Sequence, residues 1–366
     1  MARKEFEVGS AVSRPGDYSY GSMRVLDLPT GGHEEIPVVI AQGLDEGPTV
    51  WVTANIHGGE LIGIASIHAV LTEDLPRRLR GTLIVLPTIN PAGLQVMQRY
   101  PYYEAKDPNR VWPGFKKADS TGIPPAVYQQ VAQQIFDAVV ATEPDCLLDL
   151  HNASIDSIPF TIRDRVLHSP DADENGLAAA RELADRLDWL ARTFGLSLVN
   201  ESPSAKYVDL ALHRSVAGSM VNTSGIPSLT LELGMGMAID PAAVSAGANG
   251  ILNVLRGYGM LDGEPEPISD VPVIDLGFAV RRDDSARAPV SGILQAVVRP
   301  GQPFGEGDLL ARMVDIYGRP IDSGEIHAKA DGWLIGWSNG IAKYRGQSVA
   351  SLAIRDDEPL IGPQPA

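Results

Sequence analysis

Short apolar runs alternate with longer stretches of helical spacing between about residues 36 and 260 of this 366-residue chain. The short runs have the composition of buried strands, and the longer stretches carry few helix breakers and should cover the faces of a sheet. This alternation predicts an α/β fold with a mainly parallel or mixed sheet flanked by helices. We predict strands at residues 38–40, 49–53, 82–86, 146–150 and 228–231, and helices at 61–71, 126–140, 177–194 and 241–258.

The pattern changes after residues 262–270, a segment rich in proline and acidic residues. Beyond it, residues 288–294 recur as 328–334 and residues 307–311 recur as 346–350, which indicates an internal β repeat. The two halves resemble the barrel-sandwich architecture of biotinyl and lipoyl domains. We therefore predict three parts: an N-terminal β-rich segment at 1–35, a main α/β domain at 36–262, and a linker with a C-terminal all-β, barrel-sandwich-like module at 263–366. A small sheet with exposed edges is often covered by a neighbouring subunit, so we expect a homo-oligomer.

Charge narrows the range of partners. The chain has 46 Asp and Glu against 30 Lys and Arg, and its formal net charge of −16 repels phosphate backbones and anionic membranes. The N-terminus lacks the apolar core of a signal peptide, and no apolar run approaches the roughly 18–20 residues that cross a bilayer. We expect a cytoplasmic protein that binds neither nucleic acid nor membrane. The single cysteine, Cys146, lies in an apolar run and is expected to be a buried structural thiol.

Four ionisable side chains follow predicted strands in three distant segments. His57 and Glu60 are three positions apart at the start of a helical pattern, so one turn can aim both side chains at one point. His151 and Glu232 each follow another strand. Two imidazoles and a carboxylate make an open three-ligand set for zinc, with a fourth position for a water molecule. We therefore predict a zinc site at the carboxyl ends of the strands, where open α/β sheets build their sites, with Glu232 as the base.

Each of these residues also has a simpler explanation when it is taken alone. A histidine three positions before a glutamate is often exposed, beside a carboxylate that favours the helix dipole. The Glu232 carboxylate would equally suit a structural ion pair. Asp149 should point to the same side of its strand as His151, since strand side chains alternate. Asp149 would then either orient this imidazole as a hydrogen-bond acceptor or cap nearby backbone amides.

The order of motifs over residues 55–234 resembles that of a known family. The motifs are His57-Gly58-Gly59-Glu60, Asn90-Pro91-Ala92-Gly93, Arg99-Tyr100, Asp107-Pro108-Asn109-Arg110, Asp149-Leu150-His151-Asn152 and Leu231-Glu232-Leu233-Gly234. They occur in this order in the succinylglutamate desuccinylase and aspartoacylase family, which is itself similar to the zinc carboxypeptidases. Within the family, the chain looks most like the bacterial deacylases that include the N-acetyl-diaminobutyrate deacetylases.

This resemblance implies a zinc-dependent hydrolase that cleaves the amide bond of a small N-acylated amino acid or related amine. Residues 36–262 would be its catalytic domain, and each subunit would hold one Zn²⁺. In the family pattern, His57, Glu60 and His151 are the zinc ligands. Glu232 is the general base and acid.

The same pattern makes three further residues the groups that face the substrate. Arg99 is expected to bind the carbonyl oxygen. Arg110, together with Asn109, is expected to bind a substrate carboxylate, because a guanidinium can hold a carboxylate through two parallel hydrogen bonds. Specificity contacts are expected in the loop-rich segment 157–226, without a preference among its polar side chains Arg163, Arg165, Tyr207 and Arg214.

Two other functions stay open. A metallocarboxypeptidase acting on short peptides would use the same metal, base and arginines, but it needs an open groove for a chain. A noncatalytic binding protein would keep the pocket and lose the metal site, which the intact ligand residues disfavour.

Overall fold

The computed structural model of the protein describes residues 5–114 and 126–365. The helices are α1 (Ile62–Val70), α2 (Leu75–Arg78), α3 (Pro91–Val96), α4 (Val127–Ala141), α5 (Glu174–Phe194), α6 (Ser204–Asp209), α7 (Val216–Ser219) and α8 (Pro241–Gly257). Shorter turns are the 3₁₀ turns Pro108–Arg110 and Leu212–Arg214 and the π-helical turn Met220–Ser224.

The strands fall into an N-terminal, a central and a C-terminal group. The first are β1 (Glu7–Val8), β2 (Ala11–Val12), β3 (Asp17–Asp27), β4 (His33–Gln42), β5 (Asp45–Ala54) and β6 (Arg80–Leu86). The second are β7 (Cys146–Ala153), β8 (Asp156–Ser157), β9 (Pro159–Arg163), β10 (Val166–His168), β11 (Ser197–Asn200) and β12 (Ser228–Met235). The third are β13 (Val280–Asp283), β14 (Gly292–Ala296), β15 (Pro303–Phe304), β16 (Leu309–Val314), β17 (Pro320–His327), β18 (Gly332–Trp337), β19 (Ala342–Lys343), β20 (Ala350–Arg355) and β21 (Ile361–Pro363).

Thirteen strands of the described residues form one mixed sheet in the order β15-β18-β20-β13-β11-β9-β12-β7-β5-β6-β4-β3, with β8 paired to β18. At its centre β6, β5, β7 and β12 run parallel. Strands β4 and β9 run antiparallel to this group. The five predicted strands lie within β4, β5, β6, β7 and β12, and the four predicted helices are α1, α4, α5 and α8. The predicted α/β class with a parallel or mixed sheet is confirmed.

Helices cover both faces of the sheet because successive strand residues point to opposite sides. Val50, Val52 and Leu148 pack in the core that α1, α5 and α8 cover. Trp51 and Leu147 point the other way, into the core covered by α4. None of the described helices combines the length and apolar character needed to cross a lipid bilayer.

The C-terminal strands extend the main sheet and also build a second one. β13 pairs with β11, and β20, β18 and β15 continue the sheet outward. β17, β16, β14 and β19 form a separate antiparallel sheet of four strands. The two sequence repeats correspond to the antiparallel pairs β14 with β16 and β18 with β20. The predicted C-terminal β module is therefore present as antiparallel sheets, while the boundaries at residues 35 and 262 stay predictions.

Candidate metal centre and active site

The strand register brings the separated motifs together. In the parallel pair of β7 and β12, His151 lies opposite Glu232. In the parallel pair of β5 and β7, Thr53 lies opposite Asp149. Since side chains two residues apart share a face, Asp149 and His151 point to the same side of β7. The loop that carries His57 and Glu60 follows the carboxyl end of β5, which pairs with β7 beside Asp149 and His151.

Asn55 shapes this loop. Its backbone φ is 59°, a left-handed conformation that asparagine tolerates better than most residues. Its Nδ2 donates to the carbonyl oxygens of His57, Gly58 and Glu60 at 3.1, 3.2 and 2.8 Å. Asn55 takes the positive φ in this turn, and neither Gly58 nor Gly59 does. Gly58 is needed for close packing, since an added Cβ would lie 2.0 Å from the carbonyl carbon of Gly93.

Three buried side chains form the cluster that the sequence predicted. One ligand atom each of His57, Glu60 and His151 lies within 4.8 Å of the other two. His57 Nδ1 lies 2.6 Å from Glu60 Oε1, and His151 Nδ1 lies 2.9 Å from Glu60 Oε2. Apart from these two imidazoles and the more distant Arg99, no charged group of the described residues pairs with the buried Glu60 carboxylate. Two imidazole nitrogens and a buried carboxylate are a donor set that zinc accepts, so these residues fit the implied metal.

Each imidazole also directs its other nitrogen to a carboxylate. His151 Nε2 lies 2.6 Å from Asp149 Oδ2, and the Thr53 hydroxyl donates to Asp149 Oδ1 at 2.6 Å. His57 Nε2 lies 3.1 Å from Asp107 Oδ1. Such contacts fix the orientation of a ligating histidine. Asp149 is thus placed to orient His151, and Asp107, which was not predicted, is placed to orient His57.

Opposite charges shift the titration of the whole cluster. Burial lowers the pKa of His151, but Asp149 and Glu60 outweigh it and leave the pKa well above its ordinary value. Burial likewise lowers the pKa of His57, and Glu60 and Asp107 outweigh it. Burial raises the pKa of Glu60, yet the two histidines hold it below its usual range. The carboxylates therefore favour positive charge at the centre of the cluster, which a divalent cation would supply.

Glu232 lies on the wall of the same cavity. Its Oε2 is buried and has no hydrogen-bond partner among the described residues. Burial raises the pKa of Glu232, and the nearby Glu60 adds to the rise, while His151 and Arg282 oppose it. A carboxyl group with a raised pKa can accept and return a proton more readily near neutral pH than an ordinary glutamate.

The structure brings the three predicted substrate-side residues to the same cavity. Arg99 is half-exposed, and its Nη2 donates to Asp107 Oδ2 at 2.9 Å, while its Nη1 lies 3.7 Å from Glu60 Oε1. Asn109 is buried, and its Oδ1 accepts a hydrogen bond of 2.9 Å from the Val216 backbone amide. Arg110 donates to the carbonyl oxygen of Asn109 at 2.7 Å, and burial lowers its pKa.

Other charged residues on the cavity wall were missed by the sequence reasoning. The cavity has a volume of about 440 Å³, and its wall includes Asp164, Glu201, Arg282 and Asp284. Arg282 and Asp284 come from the C-terminal part of the chain, as do Ile335 and Asn339. The two arginines and two aspartates at 281–284 look like an exposed strand end, so the sequence offers no signal that Arg282 and Asp284 reach the cavity.

The four polar residues of the segment 157–226 that were considered for specificity contacts each interact with another part of the protein. Arg163 pairs with Asp188 at 2.5 Å, and Arg165 pairs with Asp356 at 2.9 Å. Arg214 donates to the carbonyl oxygen of Trp112 at 3.0 Å. Tyr207 supports the cavity indirectly, because its hydroxyl donates to Asp164 Oδ1 at 2.7 Å.

Comparison with known proteins agrees with this architecture. Residues 46–258, more than half of the chain, match the profile of the succinylglutamate desuccinylase/aspartoacylase catalytic domain. The N-alpha-acetyl-L-2,4-diaminobutyric acid deacetylase of Halomonas elongata is 26% identical over 338 residues, which cover 90% of each chain.

Two solved structures share the fold over nearly the full length. The succinylglutamate desuccinylase/aspartoacylase of Rhodobacter sphaeroides superposes with a TM-score of 0.71 at 25% identity, over 93% of this chain and 96% of that one. The product-bound ectoine utilization protein EutE of Ruegeria pomeroyi gives a TM-score of 0.69 at 21% identity, over 93% and 96%. Motif order, site geometry and these matches agree: the chain belongs to the succinylglutamate desuccinylase/aspartoacylase family.

Proposed function

We propose that the protein is a zinc-dependent amidohydrolase that removes a small acyl group from an N-acylated amino acid or related amine. The observation that carries this proposal is the buried set of His57, Glu60 and His151 beside the unpaired carboxylate of Glu232 on one cavity wall. The family is named for desuccinylase and acylase activities, and the Halomonas relative is a deacetylase. All of these names describe hydrolysis of an amide bond.

His57, Glu60 and His151 would hold the metal, which when bound supplies a Lewis acid and lowers the pKa of water in the site. Asp149 and Asp107 keep the two imidazoles oriented toward Glu60. These contacts preorganise the donor set before substrate arrives.

Glu232 moves the proton in this proposal. Its carboxylate takes a proton from the attacking water and then delivers it to the nitrogen of the scissile amide, so that an amine leaves and a carboxylate is formed. The raised pKa of Glu232 suits both roles, since the same group must accept and donate within one turnover.

The arginines would bind the substrate. The guanidinium of Arg99, held by Asp107, is placed to stabilise the oxygen that gains negative charge when water attacks the carbonyl carbon. Arg110, on the turn that Asn109 anchors to Val216, would bind a substrate carboxylate.

The shape of the cavity favours a small substrate over a peptide. Residues from the C-terminal part of the chain, among them Arg282 and Ile335, form part of the wall. A volume of about 440 Å³ lies in the ordinary range of small-molecule sites. A carboxypeptidase would need an open groove in place of this wall.

The test is the variant Glu232→Gln, which keeps the side-chain shape and removes the charge. We expect turnover of N-acetyl amino acids to fall by roughly 10³-fold or more, the scale seen when one essential catalytic group is removed. Zinc content should stay near one ion per chain, because Glu232 is not a ligand. Turnover by stopped assay and zinc by atomic absorption measure both quantities.

The exposed Glu182 on α5 provides the matched control, and Glu182→Gln should behave like the wild type. Wild-type turnover in Glu232→Gln, or full activity after exhaustive chelation, would overturn the proposal. Activity on short peptides that exceeds activity on N-acetyl amino acids would favour the carboxypeptidase instead.

A further inference from the structure

Two methionines on the exposed part of the cavity wall have a backbone conformation that disfavours large side chains. Met97 has a φ of 53° and Met237 a φ of 61°. Both line the cavity, and they are 39% and 66% exposed. A left-handed φ brings the Cβ of an L-residue close to a carbonyl oxygen, so glycine or asparagine is favoured there. Each methionine therefore costs free energy that its exposed side chain does not recover through burial.

The other residues of positive φ differ from these two. Apart from the glycines, the described residues with a positive φ also include Asn55, Glu143, Ala211 and Ser323. These side chains are small or polar, and they lie outside the cavity wall. Within residues 5–114 and 126–365, a large apolar side chain on such a backbone thus occurs at the cavity alone. Strained backbone is concentrated at ligand sites, so both methionine side chains are candidates for contact with a ligand.

Hydrogen bonds attach both methionines to the loop that carries two of the candidate metal ligands. The Met237 amide donates to the carbonyl oxygen of Gly59 at 2.7 Å. The Gly58 amide donates to the carbonyl oxygen of Gln98, the residue after Met97, at 3.0 Å. Gly58 and Gly59 separate the two candidate ligands of this loop. The methionines are therefore held beside the place where a metal and the scissile amide would meet.

A third exposed side chain makes this part of the wall an apolar rim. Ile155 lines the same cavity and is 54% exposed, and its amide donates to Asn339 Oδ1 at 3.1 Å. We call Met97, Ile155 and Met237 the apolar rim. Exposed apolar side chains grouped at a cavity are typical of a ligand-binding surface. Methionine suits alkyl ligands in particular, because its unbranched side chain adapts to chains of different length.

We propose that the apolar rim binds the alkyl tail of the acyl group and selects butanoyl and hexanoyl chains over acetyl and succinyl chains. This inference rests on the proposed deacylase function and names its acyl group. In that function Arg110 binds the carboxylate of the amino-acid part, which leaves the acyl tail for the rim. A butanoyl tail places apolar groups against the rim. A succinyl tail of the same length places a carboxylate there, and apolar side chains do not replace its hydration.

The experiment measures binding, so it does not depend on turnover. Acetohydroxamate, butanohydroxamate and hexanohydroxamate share a zinc-binding head group and differ in the number of methylenes. Succinic monohydroxamate has the chain length of butanohydroxamate and adds a carboxylate. We expect the zinc-loaded wild type to bind the alkyl compounds about two- to fourfold more tightly for each added methylene, the gain when a methylene leaves water. Butanohydroxamate should bind more tightly than succinic monohydroxamate. Isothermal calorimetry gives the dissociation constants.

Asparagine at the methionine positions separates ligand binding from folding. Since asparagine tolerates a left-handed φ, Met97→Asn and Met237→Asn should melt at or above the wild-type temperature. Each should lose part of the gain per methylene, and the double variant should lose most of it. Met237→Leu keeps an apolar side chain and should retain the gain. Ile239 is 51% exposed and lies outside the cavity wall, so Ile239→Asn is the matched control and should bind the series like the wild type.

Three results would overturn the inference. The first is equal affinity of the wild type for acetohydroxamate and hexanohydroxamate. The second is a lower melting temperature in Met237→Asn with an equal loss of affinity for every chain length, which would give the methionine a structural role. The third is a gain per methylene that appears in the amino acids alanine, norvaline and norleucine but not in the hydroxamates. That result would assign the rim to the amine side of the substrate.

Hydrolysis distinguishes this inference from the proposed function. Faster hydrolysis of N-acetyl-norleucine than of N-butanoyl-norleucine by the wild type would overturn the inference while supporting the deacylase function. A gain per methylene in hydroxamate binding, lost in the double asparagine variant, without hydrolysis of any N-acyl amino acid would support the apolar rim and contradict the deacylase function.

Discussion

Asp164 shows how burial and neighbouring charges together set the titration of one side chain. Burial raises the pKa of Asp164 to about 7, and Glu201 adds to the rise, while the Tyr207 hydroxyl, Arg282 and Arg110 oppose it. These are the charged and titratable groups that face the carboxyl group from the surrounding elements. The free protein therefore holds Asp164 mostly neutral below about pH 7 and mostly ionised above it.

For individual residues, the sequence predicts those of the candidate metal site better than those of the remaining cavity wall. His57 and Glu60 follow β5, whereas His151 and Glu232 lie within β7 and β12, near their carboxyl ends. Their convergence is a consequence of sheet topology. Asp164 reaches the cavity because β9 runs antiparallel beside β12, and that pairing joins segments far apart in the chain. Periodicity shows which residues share a face of one strand, but it does not show which distant strand lies beside it.

The loop between β5 and α1 is the element on which the candidate metal site most depends. Gly58 and Gly59 are adjacent in it, and neither has a positive φ, so the two differ in surroundings alone. A Cβ on Gly58 would lie 2.0 Å from the backbone of Gly93. A Cβ on Gly59 would lie 3.2 Å from Cγ of Met237, an exposed side chain that can move aside.

Gly58→Ala should therefore damage the loop, and Gly59→Ala should not. We expect Gly58→Ala to lose about 1–3 kcal/mol of unfolding free energy and at least tenfold in zinc affinity, because two backbone segments must separate. Gly59→Ala should stay within about 0.5 kcal/mol of the wild type, as surface substitutions usually do. Urea unfolding and competition with a zinc chelator measure the two quantities. Equal effects of both variants would show that the close packing against Gly93 is unimportant.

Helices and central strands were predictable because each carries its own pattern. α5 begins at the cap Asp173, which accepts a hydrogen bond from Gly176, and ends at Gly195 with φ 97°. The short strands at the sheet edge lack such signals. β15, β8 and β19 have two residues each and exist because a longer neighbour offers free hydrogen-bonding groups. Pairing of this kind depends on tertiary structure, so local sequence does not predict it.

Across the whole molecule, the C-terminal part of the chain is joined to the α/β part by a continuous sheet. β13 contributes Arg282 to the cavity and pairs with both β11 and β20. The sequence predicted a separate module beyond residue 263, because the change in composition there is sharp and a shared sheet leaves no local trace. The three-part division, the homo-oligomeric state and the cytoplasmic location stay predictions.

A buried ion pair ties the last residues to the core. Arg165 Nη2 lies 2.9 Å from Asp356 Oδ2, and both side chains are fully buried. Asn200 donates to the same carboxylate at 2.7 Å. The exposed pair of Arg312 and Glu325, at 3.3 Å, is a matched comparison within the C-terminal part of the chain.

Asp356→Ala should lose about 3–5 kcal/mol of unfolding free energy, because it leaves the buried Arg165 guanidinium without its counter-ion. Glu325→Ala should leave the urea midpoint nearly unchanged, since water and salt screen an exposed pair. Because the sheet runs through both parts of the chain, tryptophan fluorescence and far-UV circular dichroism should report one coincident transition in each variant. Two separate transitions in Asp356→Ala would show that the C-terminal part of the chain unfolds independently. A urea midpoint shifted as little as that of Glu325→Ala would show that the buried pair does not stabilise the attachment of the last residues to the core.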